Sequence, residues 1–152
     1  MKKSILFLIV LIGSASSLYS QNKTLKGRVI SDDLEPVPGV SIIVNDTVKV
    51  GRTDMDGFFE INIATSQDKV LFRFVGLDPT AIGLVGNCDK IEVIMTLSGS
   101  YDFMSLNRVE RKRKKRYKKL PEVHKEAFEK GIFETECPCF KREFEYLYID
   151  KG

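Results

Sequence analysis

The segment from Thr24 to Ile61 constrains the fold most, because short apolar runs alternate there with residues suited to turning the chain. It reads TLKGRVISDDLEPVPGVSIIVNDTVKVGRTDMDGFFEI. Asp32-Asp33 and Glu35-Pro36 mark a first connection, Pro38-Gly39 precedes a β-branched run, and Asn45-Asp46 marks a tight hairpin. Asp54 and Asp56 can bond their own backbone, and Gly57 supplies the positive φ that a hairpin turn requires. The same texture continues to Leu97, with strands expected near 25–31, 40–44, 48–53, 58–63, 69–75, 80–85 and 90–97. Seven short strands with regular turn signals write a β-sandwich. Within the fourth strand, Phe59, Ile61 and Ile63 should face inward and Glu60 and Asn62 should face water. Pro79, lacking an N–H for the ladder, belongs at a strand start or an edge.

Ahead of this region, Lys2 and Lys3 precede the apolar run from Ile5 to Ile12, and a small-residue exit leads to Ser20. That order is a secretory leader, residues 1–20, with cleavage expected after Ser20. The apolar run falls short of the ~20 residues that span a bilayer. Without Lys2 and Lys3 the formal charge of +3 becomes about +1, so the distribution of charge matters more than its sum. Residues 21–98 hold 8 Lys/Arg against 11 Asp/Glu, whereas residues 99–152 hold 14 against 10. An acidic front and a basic rear are different surfaces.

Four stretches carry a family resemblance: Lys26-Gly27-Arg28-Val29, Val37-Pro38-Gly39-Val40-Ser41-Ile42, Thr53-Asp54-Met55-Asp56-Gly57-Phe58-Phe59 and Phe74-Val75-Gly76-Leu77. In order and spacing they resemble the carboxypeptidase regulatory-like family over residues 24–98. The resemblance implies a mainly β protein, a seven-stranded transthyretin-like β-sandwich; residues 99–152 lie outside the module and read from their own composition as a basic helical C-terminal extension. Within these stretches Gly39, Asp54, Asp56, Gly57 and Gly76 read as structural turn residues. The resemblance further implies an exported Bacteroidetes protein, in the periplasm or at the periplasmic face of the outer membrane, of a kind found alone or ahead of TonB-dependent receptors. Leu77 departs from the aromatic common at that position in the family.

Beyond the sandwich, residues 99–107 read as a linker, and 9 of the 12 residues from Arg108 to Lys119 are Lys or Arg. Such a run repels itself. It is either a solvated connector or an anionic-surface site made by Arg108, Arg111, Lys112, Arg113, Lys114, Lys115, Arg116, Lys118 and Lys119. Nucleic acid is not an expected partner in that compartment, and few aromatics are interleaved to stack on bases. Leu120-Pro121 opens a helix, with Glu122 in its first turn, Lys130 in its last and Gly131 just beyond. Leu120, Val123, Ala127 and Phe128 should form its apolar face, and His124 its exposed side. Phe144, Tyr146 and Tyr148 alternate as in a strand.

Catalysis is not expected. Catalytic zinc needs about three protein ligands, and the chain has one histidine, His124. Counted from Asp54, the closing Glu of a calcium loop would fall at Thr65, so the loop is incomplete. No G-x-S-x-G occurs to present a serine nucleophile. No cofactor is expected. Cys88, Cys137 and Cys139 are a disulfide or thiol set; a bridge across Pro138 alone is sterically hard, and Cys88 can pair with either of the others. The leading reading is a non-catalytic envelope module that binds a protein or glycan, with an anionic membrane surface as a further contact. The alternative is a small metal-binding or redox protein built on Cys88, Cys137 and Cys139.

Overall fold

The computed structural model describes residues 21–147. The expected leader and Tyr148 lie outside the described residues. Seven strands follow in order, β1 (Asn22–Ser31), β2 (Ser41–Val44), β3 (Val48–Arg52), β4 (Phe58–Ala64), β5 (Lys69–Arg73), β6 (Thr80–Gly83) and β7 (Lys90–Met95). Helices α1 (Leu106–Tyr117) and α2 (Leu120–Glu129) and a short strand β8 (Lys141–Glu143) complete the chain. The protein is mainly β, with its strands in two sheets ordered β4-β1-β7 and β3-β2-β5-β6-β8.

Alternation decides which residues meet between the sheets. In β4, Phe59, Ile61 and Ile63 are buried while Phe58, Glu60 and Asn62 are exposed, as the pattern requires. They join Leu25, Val29, Val40, Ile42, Val70, Phe72, Ile82, Ile91, Val93 and Met95 in one core. Full burial of an aliphatic or aromatic side chain of this size stabilises by about 1.5–3 kcal/mol. Strand β1 pairs antiparallel with β4 and parallel with β7, so it lies at the centre of its sheet.

The turns follow the residue chemistry. Asn45 and Asp46 both take positive φ, at 51° and 61°, in the tight loop that joins paired Val44 and Val48. Gly39, Gly57 and Gly76 also take positive φ, at 77°, 78° and 85°. Asp54 accepts hydrogen bonds from the backbone N–H groups of Asp56 (3.0 Å) and Phe58 (2.8 Å). Its carboxylate thus closes the turn. A Cβ on Gly57 would also run into the backbone oxygen of Val29. Three strands stop two residues earlier than the sequence suggests, β7 among them at Met95. Beyond β5, Phe74 and Val75 are exposed and lead into the Gly76 turn, and β6 ends at Gly83.

The rear of the chain is the larger departure. A second cluster, Ile30, Ile94, Leu120, Ala127 and Phe133, forms where α2 and the segment after it cover the outer face of the three-stranded sheet. Strand β8 then pairs antiparallel with β6, extending the other sheet. The aromatic-rich tail therefore pairs with the sandwich, through Lys141–Glu143 and not through Phe144 and Tyr146. His124 is fully buried and Phe128 is 37% exposed, the reverse of the expected helix face. The reason is that Phe133, folding back beside the helix, packs against His124 with ring centroids 4.8 Å apart.

Gly57→Val should lower the melting temperature well below that of wild type, because a β-branched residue at this φ carries about 1–3 kcal/mol of strain and meets Val29 as well. Met55→Ala should melt as wild type, since Met55 is 79% exposed. Equal melting temperatures for the two variants would overturn this account of the turn.

Candidate functional site

Nine cations between residues 108 and 119 ought to resist a helix, since like charges three and four residues apart cost about 0.2–0.5 kcal/mol per pair. Seven of them nonetheless lie in α1, with Lys118 and Lys119 just beyond its end, because that helix is docked. At 100° per residue, Val109, Glu110 and Arg113 fall on one side, and all three are buried. Arg113 Nε donates to Asp78 Oδ2 at 3.0 Å, and Nη1 donates to Glu110 Oε2 at 2.8 Å and to the Glu145 carbonyl at 3.0 Å. Glu110 Oε1 accepts from the Leu147 N–H at 2.9 Å. One buried guanidinium thus joins the β5–β6 connection, α1 and the tail.

This corrects the sequence reading of the basic run. Arg113 belongs to the interior and not to an anionic-surface site. Lys114 reaches the Tyr146 hydroxyl at 3.4 Å, and Arg116 donates to the Leu97 carbonyl at 2.7 Å. The side chains of Arg108, Arg111, Lys112, Lys115, Lys118 and Lys119 remain exposed and make no hydrogen bond or ion pair among the described residues. The four on α1, Arg108, Arg111, Lys112 and Lys115, project away from the docked side, and Lys118 and Lys119 follow the helix. At the start of the helix stand Phe103, fully exposed with φ 62°, and Leu106, 56% exposed. Asp78 and Glu110 were not singled out from sequence, although a lone Glu three residues before Arg113 in a cationic run is a visible sign of an i,i+3 pair.

The tail is held by further polar contacts. Glu92 of β7 is buried and accepts from the backbone N–H groups of Glu134 (2.6 Å) and Thr135 (3.1 Å). His124 Nε2 lies 3.0 Å from the Thr135 carbonyl, and Arg142 Nη2 lies 3.3 Å from Nδ1. These partners fit a neutral ring that donates from Nε2 and accepts at Nδ1. Burial, reinforced by the Arg142 charge, pushes the His124 pKa below its ordinary value, against the pull of the Thr135 hydrogen bond. Burial also pushes Arg142 down to about 10.

Cys88 and Cys139 form a disulfide, with Cα atoms 5.9 Å apart, which ties the β6–β7 connection to the tail. Cys137 is free and exposed. With two of the three sulfurs joined to each other, the set does not favour the metal-binding or redox alternative. Among the described residues no group of three or more His, Cys, Asp or Glu is placed to hold a metal ion, and no helix is long and apolar enough to cross a membrane. On the outer face of the three-stranded sheet lies a groove of about 640 Å³. Most of its cations are engaged: Lys26 pairs with Glu60 at 3.0 Å, Lys90 with Glu134, and Arg28 stacks 4.7 Å over the Phe58 ring, while Arg52 at its border has no ion pair among the described residues.

A family model described as the CarboxypepD_reg-like domain matches residues 25–105, more than half of the chain. Over 91 residues, 60% of this chain, the sequence is 31% identical to the TonB-dependent receptor SusC of Bacteroides thetaiotaomicron. That stretch spans 9% of the receptor's length. Among solved structures, the C-terminal domain of the PapC usher aligns with a TM-score of 0.36 and 12% identity, covering 51% of this chain and 100% of that one.

Arg113→Met should destabilise the protein by about 3–5 kcal/mol, since it leaves two buried carboxylates without their cation. Lys115→Gln should stay within about 0.5 kcal/mol of wild type. Denaturant melts compare them, and similar midpoints would show that the buried joint does not hold the helix. Because the folded-state pKa of His124 is depressed, its contribution to stability is complete above the unfolded value of about 6.5 and is lost as pH falls through the folded value. The chain's single histidine gives one imidazole signal to follow by NMR. Its midpoint should lie below that of the unfolded chain, and a midpoint at or above it would contradict the buried neutral ring.

Proposed function

This chain belongs to the CarboxypepD_reg-like domain family, and we propose that it is an exported, non-catalytic interaction module of the cell envelope. In this reading its leader is removed near Ser20, and the mature chain works in the periplasm or at the periplasmic face of the outer membrane. Its partner there is a protein or a glycan. The 31% identity to a TonB-dependent receptor supports an outer-membrane transport assembly as the setting. The non-catalytic reading is supported by the chain's one histidine, which is sealed between Thr135, Phe133 and Arg142 and engaged at both ring nitrogens.

The observation that carries the reading is the one-sided charge of α1. Arg113 locks one side of the helix to the sandwich, so the cations Arg108, Arg111, Lys112 and Lys115 share its free face, with exposed Lys118 and Lys119 directly after it. A convex face of this kind matches an anionic membrane surface, where each Lys or Arg near the headgroups contributes about 1 kcal/mol. Exposed Phe103 and Leu106 at the start of the helix are placed to enter the interfacial layer beside those headgroups. The attraction decays over a Debye length of about 8 Å at physiological salt.

Mature protein should therefore sediment with vesicles containing anionic lipid at low salt and be released at high salt. A variant carrying Arg108→Gln, Arg111→Gln, Lys112→Gln and Lys115→Gln should remain in solution while melting as wild type, because these side chains make no contact that stabilises the fold. Arg113 is left intact in this test. If wild type and variant partition alike at every salt concentration, the helix face is a solvated surface and the membrane contact is wrong.

A further inference from the structure

The outer face of the five-stranded sheet carries a feature that the cationic helix does not explain. Residues 21–98 hold 8 cations and 11 anions, yet three of those cations are gathered on this one face. Lys26, Lys69 and Lys90 have carboxylate partners, and Arg28 donates to the Asp56 and Ile132 carbonyls. The side chains of Lys49, Arg52 and Arg73 make no hydrogen bond or ion pair among the described residues. All three line a groove of about 670 Å³ that has no carboxylate in its lining.

Strand register explains the gathering. Ser41 of β2 stands opposite Arg52 of β3 on one side and Arg73 of β5 on the other. Residues opposite one another in adjacent strands share a face, and strands lie about 4.8 Å apart, so the two arginines flank Ser41 with Cα atoms roughly 10 Å apart. Two residues along β2, Ile43 is opposite Lys49, which continues the cationic border. Beyond Arg73 the chain leaves the sheet, and Phe74 and Val75 form an exposed apolar wall, Val75 at 93% exposure.

We propose that this groove docks an acidic peptide segment of a protein partner, with its carboxylates held by Arg52, Arg73 and Lys49 and its apolar side chains against Ile43, Phe74 and Val75. Guanidinium forks bind carboxylates in a bidentate, directional way, and a concave floor of strands accepts an extended chain. A flat lipid surface does not reach into a concavity. A neutral glycan would need planar side chains offering both donors and acceptors to its hydroxyls, and the lining contains no Asn, Gln, Asp or Glu. The proposal deepens the reading of the chain as an interaction module by naming the class of partner, and it is independent of the lipid contact at α1.

The test uses the full mature chain and a fluorescein-labelled decapeptide of alternating Glu and Val, read by anisotropy. Three controls accompany it: the same peptide with Gln for Glu, a decamer of Glu, and an oligoglucuronate. The Glu/Val peptide should bind wild type in a salt-sensitive manner. Arg52→Gln with Arg73→Gln should weaken it about tenfold or more, and Phe74→Ser with Val75→Ser should weaken it while sparing the decamer of Glu. All these side chains are exposed, so melting temperatures should be preserved. The vesicle assay on the same proteins should be unaffected, which separates failure of the groove from failure of the membrane contact. Absence of peptide binding, equal binding by the arginine variant, or oligoglucuronate binding as tight as the peptide would overturn the proposal.

Discussion

The arrangement of the rear half depends on one buried guanidinium. Asp78 and Glu110 are taken out of water by the docking of α1, and each buried ion loses several kcal/mol of hydration that only an oriented cation offsets. Arg113 satisfies both and also accepts no substitute geometry, because its fork must meet Asp78, Glu110 and the Glu145 carbonyl together. Rotating α1 by one residue would carry Arg113 away from Asp78. The joint therefore sets the rotation of the helix about its axis, and with it the direction in which the remaining cations project. The Cys88–Cys139 bridge reinforces the attachment from the far end of the tail. It closes 51 residues of chain, a loop whose constraint on the unfolded state corresponds to about 4 kcal/mol in the chain-entropy account.

The sandwich was legible because its rules are local. Period-two alternation reads directly as burial in β4, and a positive φ at Gly39, Gly57 and Gly76 follows from residues within a few positions of each. The tail was not legible because its determinants are paired across the fold. Nothing around Asp78 announces a partner 35 residues later, and nothing around Glu92 announces Thr135. A helical wheel places His124 between Leu120 and Phe128 on the apolar face, so giving it to solvent rested on its polarity; the apolar cover that buries the ring comes from Phe133, which returns across α2. The basic run misled for a related reason. Composition alone cannot separate a cation that is salt-bridged in the interior from neighbours that stay in water.

The two cationic surfaces differ in shape and in origin. On α1 the charge is convex, dense and carried by a helix that only tertiary contacts hold in place. On the five-stranded sheet it is sparse and recessed, and it arises from the register of β2, β3 and β5, which belongs to the β framework itself. A loss of the tail would remove the first surface and leave the residues of the second in their strands.

The parallel pairing of β1 with β7 bears on how the chain reaches its native state. Lys26 is partnered with Lys90 and Ser31 with Met95, so β1 has one edge open until almost the whole sandwich sequence is present. Contacts of such sequence separation cost loop-closure entropy before they return any stability, which slows folding relative to chains built from local hairpins. The antiparallel pairings of β2, β3, β5 and β6 need no strand beyond β6, so it is the three-stranded sheet whose completion waits for Lys90–Met95.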